Sequence, residues 1–478
     1  MSKRTPIFQL FCSWVGIVNH FYYPRRYYIN RESIPADGNS IIMVGNHQNC
    51  MMDPVNVELA LSDRKSYSLT RGDLFRKKNL LSNFLFWIGL LPVNRIENEG
   101  FGNKSNAKEA NRATFTVAAK RISQGNTLIV FPEAMHQNKR WLGYFSFGYL
   151  HIAFQTAELM KFEKEVYIVP FAHHYGNYFY PLHDFVLRFG TPIALSTYYE
   201  QYKTKPRTTM RQVNDIVESQ IRELMLNISD LDHYTSIDAL REGPVGKDFA
   251  IKLGLNPRFL TEKQLADKQL VEKLAHSENK KVLDKLQAIE TEIYQNGMND
   301  DIVAKEPGFG LFLLNFMALL SILPLFINAF MVTWPVILAP RVMDNKVING
   351  EGDEMFRSTW NVGITTLITL PLFWILPTII LCFFWWKIAI LFFLLYPLCI
   401  LIVLLYCKLF RHTRMIWNFV TGKDSKRLAD ERNNCIKNLN LYKQNFSEAN
   451  NGAKELEAGI IAFDPDLAAE LAESNKAT

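Results

Sequence analysis

The stretch 40-SIIMVGNHQNCMMDPVNVELAL-61 places polar, chemically capable residues between two apolar segments. Residues 41–44 have the composition of a buried strand. Residues 53–61 have the pattern of a helix, with Asp53 suited to the N-cap and Pro54 to the first helical position. His47 lies in the loop between these two elements. This order predicts an α/β fold with functional groups just beyond a strand end.

The alternation of short apolar runs with helical segments continues from Ser40 to Thr191. This pattern is typical of a sheet covered by helices, and we expect an α/β fold with a mixed central sheet. Four polar residues each follow an apolar run, namely His47, Arg95, Glu133 and His173. Loops beyond strand ends carry the functional groups of such folds, so these residues are candidates for a site.

Segments on either side of this region differ from it in composition. Residues 1–24 contain an apolar run that is interrupted by polar residues and closed by arginines, which indicates an interfacial membrane helix. We assign residues 25–195 to the α/β domain. Residues 196–305 are polar and rich in helix formers, which predicts a soluble helical region.

Two strongly apolar blocks predict C-terminal membrane-embedded helices. Residues 308–340 are uncharged, too long for one comfortable span and too short for two, so we expect a re-entrant hairpin or two short tilted spans. Residues 362–407 are long enough for a transmembrane hairpin that turns near Lys387. Residues 408–478 then form a basic cytosolic helix and a polar tail.

The charge pattern predicts a multi-pass membrane protein with its α/β domain on the cytoplasmic side. Lys408, Arg411 and Arg414 follow the last apolar block directly, and cytoplasmic segments carry such an excess of basic residues. An even number of crossings then leaves both ends in the cytosol. The net charge of +6 suits an anionic membrane surface or a phosphate-bearing substrate and is too small to indicate nucleic acid.

Neither a disulfide framework nor a metal site is indicated by the sequence. The six cysteines are scattered without paired spacing. His173 and His174 are adjacent, and neighbouring residues on a strand point to opposite faces. We therefore expect no metal.

His47 and Asp53 have the residue types of a general base and its partner. A neutral histidine accepts a proton from a hydroxyl, and a carboxylate on its other nitrogen fixes the tautomer and stabilises the imidazolium. Six positions along one straight helix would point the two side chains apart, so the pair meets only if His47 lies in the loop. The alternative is that Asp53 caps the helix and His47 is a polar loop residue.

Four blocks of the sequence, in order, resemble those of the glycerolipid acyltransferases. The first is "NHQNCMMD", which has one residue more than the usual His-x4-Asp spacing and is similar to the branch that acylates glycerol 3-phosphate and dihydroxyacetone phosphate. The second is "GLLPVNR", ending at Arg95. The third is "FPEA", with Ala134 where the family has glycine, and the fourth is "IVPFAHHYGNYF".

The resemblance implies roles for individual residues. His47 would be the general base and Asp53 its orienting partner. Arg95 and Glu133 would bind the acceptor, since an arginine fork suits a phosphate monoester. The remaining residues implied to shape the substrate site are Asn46, Pro132 and Pro170.

The implied activity is transfer of a fatty acyl group from acyl-coenzyme A or an acyl carrier protein to glycerol 3-phosphate or dihydroxyacetone phosphate in phospholipid biosynthesis. The partners would be this acceptor, the thioester donor and the bilayer, with the donor as co-substrate and no other cofactor. One alternative acceptor is lysophosphatidic acid or another lysophospholipid. A second alternative is a non-catalytic lipid-binding scaffold, and Cys50 is the rival nucleophile.

Overall fold

The computed structural model describes residues 4–61, 64–75, 79–93, 104–133, 139–276, 279–348, 356–439 and 441. The chain forms two compact units. Unit 1 comprises Met1–Met225 and Gly352–Thr359. Unit 2 comprises Leu226–Glu351 and Trp360–Thr478.

The described part of unit 1 contains a sheet of eight strands. The strands are β1 (Arg26–Ile29), β2 (Ser40–Gly45), β3 (Ser66–Arg71), β4 (Leu90–Val93), β5 (Thr127–Val130), β6 (Val166–Tyr175), β7 (Phe185–Phe189) and β8 (Ile193–Ala194). Their order is β1-β7-β6-β2-β5-β3-β4, and β8 pairs with β6. All pairs are parallel except β6 with β7 and β6 with β8, so the predicted mixed sheet is confirmed.

Seven helices of unit 1 surround this sheet. They are α1 (Pro6–Tyr22), α2 (Met52–Ala60), α3 (Leu80–Trp87), α4 (Lys104–Ile122), α5 (Gly148–Leu159), α6 (Tyr199–Thr204) and α7 (Pro206–Leu224). The domain boundary predicted at residue 195 is therefore displaced to Met225. The reason is α7, whose apolar residues Val213, Val217 and Ile221 are fully buried in the same cluster as the sheet.

Strand β2 is buried along its whole length because it lies between β5 and β6. It ends at Gly45, where an added Cβ would come within 2.2 Å of the Phe171 ring. Only glycine permits this close approach of the two strands. Since β2 and β5 are parallel, the loops that follow Gly45 and Val130 leave the sheet at the same edge.

Unit 2 contains the remaining helices. They are α8 (Tyr234–Glu242), α9 (Pro244–Lys252), α10 (Leu260–Ala275), α11 (Lys280–Gln295), α12 (Asp300–Lys305), α13 (Phe309–Ile348), α14 (Phe356–Ile364), α15 (Leu376–Phe384), α16 (Trp386–Thr421) and α17 (Ser425–Asn438). The first four residues of α14 belong to unit 1. Two π-helical segments, Thr365–Thr369 and Pro371–Ile375, connect α14 to α15.

The segment predicted as a separate C-terminal part shares a core with the soluble helices. Ile416 and Phe419 at the end of α16 are buried in one cluster with Ile302 of α12 and Leu428 of α17. Arg432 of α17 is buried and forms ion pairs with two carboxylates, those of Glu290 and Asp300. Burial and the neighbouring Asp300 raise the pKa of Glu290 to about 8. The Arg432 side chain is therefore packed in this core, whereas Lys426, Arg427 and Lys437 of the same helix are exposed.

The hairpin expected for residues 308–340 is wrong, because α13 is one continuous helix. It contains three internal prolines, Pro324, Pro335 and Pro340. An apolar helix tolerates proline, because a chain that ended the helix there would leave many more backbone N–H and C=O groups without hydrogen bonds. Phe312 of α13 lies 4.7 Å from Trp417, and Phe326 lies 4.1 Å from Tyr406 between ring centres, so α13 and α16 are antiparallel.

Three helical stretches in the described residues are long and apolar enough to cross a membrane. They are Phe309–Met343, Arg357–Phe384 and Trp386–Thr421. The last two are separated by Trp385 alone, so the chain turns at the "WWK" sequence.

Candidate active site

The loop between β2 and α2 brings His47 and Asp53 into contact. The distance from His47 Nδ1 to Asp53 Oδ2 is 2.9 Å. The helix begins at Met52, so Asp53 lies in its first turn and not at the N-cap as predicted. Cys50 has a φ of 45°, in the left-handed region that non-glycine residues rarely adopt. This reversal folds the loop back and lets residues six positions apart meet.

Asp53 is fully buried, and its carboxylate accepts hydrogen bonds on both oxygens. The backbone N–H groups of Gln48 and Asn49 each donate to Oδ2 over 2.8 Å. The Tyr175 hydroxyl donates to Oδ1 over 2.6 Å. Burial alone would raise the pKa of Asp53, but His173, His47 and Tyr175 together hold it below its usual value. The carboxylate is therefore ionised, which is the state a histidine partner requires.

His173 supports the same loop from β6. Burial lowers the pKa of His173, so its ring is neutral and its Nε2–H donates to the Asp53 carbonyl over 3.1 Å. The His173 N–H donates to Asn46 Oδ1 over 2.7 Å, and the Asn46 amide donates back to the His173 carbonyl over 3.2 Å. Asn46 therefore connects the loop between β2 and α2 to β6. Within the described residues, no group of three or more histidine, cysteine or acidic side chains could hold a metal.

The His47 ring has the geometry of a general base. Because Nδ1 faces a carboxylate, Nδ1 carries the proton and Nε2 carries the lone pair. The ring stacks on Phe131 with centres 4.4 Å apart, which fixes its plane. The side chain remains 18% exposed, so a substrate hydroxyl can reach it, whereas Asp53 behind it cannot be reached from solvent.

Glu133, predicted to contact the acceptor, accepts two backbone hydrogen bonds. Its Oε1 accepts from the His47 N–H over 2.8 Å, and its Oε2 accepts from the Gly143 N–H over 2.7 Å. Burial raises the pKa of Glu133 to about 7, although both backbone donors and His47 act in the opposite direction. The Glu133 carboxylate therefore connects the loop between β2 and α2 to the segment at Gly143, and it lies directly beside His47.

The other predicted site residues have these positions. Pro132 precedes Glu133, and its carbonyl accepts from the Ser146 N–H over 2.9 Å. Pro170 lies inside β6 opposite Val44, and its carbonyl accepts from the Gly190 N–H over 2.7 Å. Arg95 and Ala134 lie outside the described residues.

Sequence reasoning missed a cluster beside the loop that contains Arg140, Tyr178 and Gln48. Arg140 is charged, yet it is buried. Its guanidinium lies 5.0 Å from the centre of the Tyr178 ring and donates to the Tyr175 carbonyl over 3.2 Å. The Tyr178 hydroxyl donates to Gln48 Oε1 over 2.8 Å. The aromatic residues of "HHYGNYF" were the signal, since buried tyrosines require polar partners.

Residues 25–174 of the α/β domain are similar to known proteins. Residues 25–174 match the model of the family described as Acyltransferase. Among solved structures, a match is the 1-acyl-sn-glycerophosphate (LPA) acyltransferase PlsC from Thermotoga maritima, with 18% identity and a TM-score of 0.33, covering 45% of this chain and 78% of that one. No curated protein matches the sequence. The residues that match this family model include the whole His47–Asp53 loop.

The raised pKa of Glu133 predicts a pH-dependent stability. Because this pKa is about 7 in the folded chain, against 4.5 ordinarily, the folded chain binds the proton more tightly. This contribution to stability is present below about pH 4.5 and is lost as the pH rises through about 7. Glu133→Gln removes the titration, so its apparent melting temperature should fall less between about pH 5 and about pH 8 than that of the wild type.

The size of this difference should correspond to about 3 kcal/mol, or several degrees in the melting temperature. Scanning fluorimetry of the full chain in detergent measures it. Glu163→Gln, at an exposed glutamate, is the matched control and should follow the wild type. Equal slopes for the Glu133→Gln variant and the wild type would contradict the buried, titrating carboxyl.

Proposed function

We propose that the protein is a membrane-bound O-acyltransferase that acylates glycerol 3-phosphate or dihydroxyacetone phosphate. The observation that carries this proposal is the 2.9 Å contact between His47 and a buried, ionised Asp53 inside a domain of acyltransferase type. A fully buried carboxylate costs stability unless it is completely hydrogen-bonded. A buried carboxylate in contact with a partly exposed histidine is the arrangement of a general base and its partner.

In the proposed reaction, His47 Nε2 removes the proton from the acceptor hydroxyl as its oxygen attacks the thioester carbonyl. Asp53 stabilises the imidazolium that forms. The tetrahedral intermediate then collapses, the carbon–sulfur bond breaks, and the proton on Nε2 neutralises the leaving thiolate. The products are an ester and a free thiol, and no acyl-enzyme is required. A base of this kind contributes about 10² to 10⁴ in rate.

Cys50 is less suited to the role of nucleophile. Its side chain is buried, with 3% exposed, and its backbone is committed to the left-handed turn that closes the loop. A nucleophilic thiol needs access to the acyl carbon and a neighbouring base. The contact between His47 Nδ1 and Asp53 supports a base that acts on an external hydroxyl instead.

The direct test is an acceptor panel with the purified full chain in detergent and labelled acyl-coenzyme A or acyl carrier protein. We expect ester formation with glycerol 3-phosphate or dihydroxyacetone phosphate. His47→Gln should lower kcat by at least about 10²-fold while the chain keeps a cooperative thermal transition, because glutamine has no basic nitrogen but its amide can still donate a hydrogen bond. His151→Gln, at an exposed histidine of α5, should retain full activity.

Exclusive turnover of lysophosphatidic acid or another lysophospholipid would reassign the acceptor and leave the chemistry intact. Turnover of no acceptor with either donor would reject the enzyme and favour the lipid-binding scaffold. An active His47→Gln variant would exclude His47 as the base.

Arg95 is proposed to bind the acceptor phosphate, on the basis of its place in the "GLLPVNR" block. Arg95→Ala should raise the acceptor KM by about 10- to 100-fold, the value of a lost charge-assisted hydrogen bond, with little change in the donor KM. Steady-state kinetics with each substrate varied in turn measures both constants. Arg112→Ala, at an exposed arginine, is the control. An increase confined to the donor KM would reassign Arg95 to donor binding.

The acyltransferase domain and the C-terminal helix are proposed to lie on the cytoplasmic side. Ile302, before the first apolar helix, and Phe419, at the end of the last, share one soluble core. The chain must therefore cross the bilayer an even number of times between them, so one of the three apolar stretches does not cross. Ile7 and Leu10 of α1 are each 72% exposed, an apolar face that suits a helix lying on the bilayer.

This topology predicts the accessibility of single introduced cysteines to a membrane-impermeant maleimide. Ala36→Cys and Lys423→Cys, both at exposed positions, should be labelled only after cells are permeabilised. Lys387→Cys, in the turn between the last two apolar stretches, should be labelled in intact cells. The unmodified chain corrects for the native cysteines. Labelling of Ala36→Cys and Lys423→Cys on opposite sides would contradict the even number of crossings.

A further inference from the structure

A segment more than 300 positions from the catalytic loop contacts it within unit 1. Residues 356–359 lie at the start of α14, yet they belong to unit 1. The Ser358 hydroxyl donates to Asn49 Oδ1. The Met51 N–H donates to Thr359 Oγ1 over 3.3 Å. The guanidinium carbon of Arg357 lies 5.9 Å from the centre of the Phe179 ring.

Asn49 is the residue through which this segment reaches Asp53. Its backbone N–H donates to Asp53 Oδ2, and its side-chain amide donates to the Tyr23 hydroxyl over 3.2 Å. Both Asn49 and Ser358 are fully buried. The Ser358 hydroxyl therefore satisfies an amide oxygen that water cannot reach, and a buried acceptor left without a donor destabilises its surroundings.

The two hydroxyls bond on either side of Cys50, the strained residue of the loop. Ser358 bonds to residue 49 and Thr359 to residue 51, while Cys50 between them has a φ of 45°. A non-glycine residue in this conformation persists only where the surrounding structure holds it there. The turn that lets Asp53 reach His47 is thus held from outside the loop by Ser358 and Thr359.

We propose that Ser358 and Thr359 are positioning residues of the active site, which clamp the turn at Cys50 and so hold Asp53 against His47. The start of the second apolar stretch is then a part of the catalytic centre as well as a membrane segment. The effect on turnover rests on the proposed function. The effect on the loop does not, and the two are measured separately.

The loop is measured by alkylation of Cys50 with N-ethylmaleimide in the full chain, followed by peptide mass spectrometry. The thiol is buried in the wild type and should react slowly. Ser358→Ala and Thr359→Val should each raise the Cys50 alkylation rate by about three- to tenfold, the value of one lost hydrogen bond. Thr359→Ser keeps the hydroxyl and should react like the wild type. Buried Cys435 of unit 2 is an internal reference whose rate should not change.

Turnover is measured in the same variants with the acceptor that the wild type uses. Ser358→Ala and Thr359→Val should lower kcat by about three- to tenfold with each KM within about twofold, because the base is misplaced while the substrate sites are intact. Thr359→Ser should restore kcat. Thr378→Val, whose hydroxyl bonds only the Trp374 carbonyl in the same apolar stretch, is the control and should leave kcat and Cys50 alkylation unchanged.

The outcomes separate the two proposals. Unchanged Cys50 alkylation in both Ser358→Ala and Thr359→Val overturns the clamp, whatever happens to turnover. Faster alkylation in these variants, together with a wild type that acylates no acceptor, supports the clamp and rejects the proposed function. If the Ser358→Ala variant has no thermal transition, the Cys50 alkylation rate of Thr359→Val decides whether the clamp exists. Thr359 is partly exposed.

Discussion

The buried carboxylate of Asp53 is the constraint on which the rest of the acyltransferase domain depends. An ion with no access to water must receive hydrogen bonds on both oxygens, and Asp53 receives them, in keeping with its lowered pKa. The donors come from two directions. Backbone N–H groups and His47 approach from the loop itself, and the Tyr175 hydroxyl approaches from β6. Satisfying this one charge therefore fixes the loop relative to the sheet.

A second layer of hydrogen bonds holds these donors in turn. The Asn56 amide donates to the Tyr175 hydroxyl over 3.1 Å, and the Asn19 amide donates to Asn56 Oδ1 over 2.8 Å. Asn19 belongs to α1, so a helix at the start of the chain supports the orientation of Tyr175. Ionisation of Tyr175 would remove the proton it donates, and burial raises its pKa well above the ordinary value. The tyrosine therefore keeps its proton and donates it to Asp53 at neutral pH.

The sequence was sufficient to predict the features that follow from local pattern. Alternating apolar and helical runs predicted the mixed sheet, and the loop between β2 and α2 placed His47 where it could meet Asp53. Packing between segments that are far apart in the sequence could not be predicted from local pattern. The polar composition of α7 placed it in a soluble region outside the α/β domain, because a sequence shows that one face of a helix is apolar and not which surface covers that face.

The same limit explains three errors inside the site and the membrane region. Arg140 is charged and follows a loop, yet buried tyrosine and carbonyl groups surround it. The length of residues 308–340 predicted a hairpin or two short spans, whereas α13 continues as one helix through its prolines. Ser358 and Thr359 have no feature that distinguishes them in sequence from the other hydroxyl residues of the apolar blocks. Only the folded chain shows which two contact the loop.

The left-handed conformation of Cys50 gives the contacts of Ser358 and Thr359 a physical reason. The loop reverses at Cys50 at a cost of about 1 to 2 kcal/mol. Two net hydrogen bonds, each contributing about 0.5 to 1.5 kcal/mol, are of the same magnitude. The hydroxyls of Ser358 and Thr359 can therefore offset the strain at Cys50. Because this turn precedes Asp53, support of the turn from outside the loop also supports the contact between His47 and Asp53.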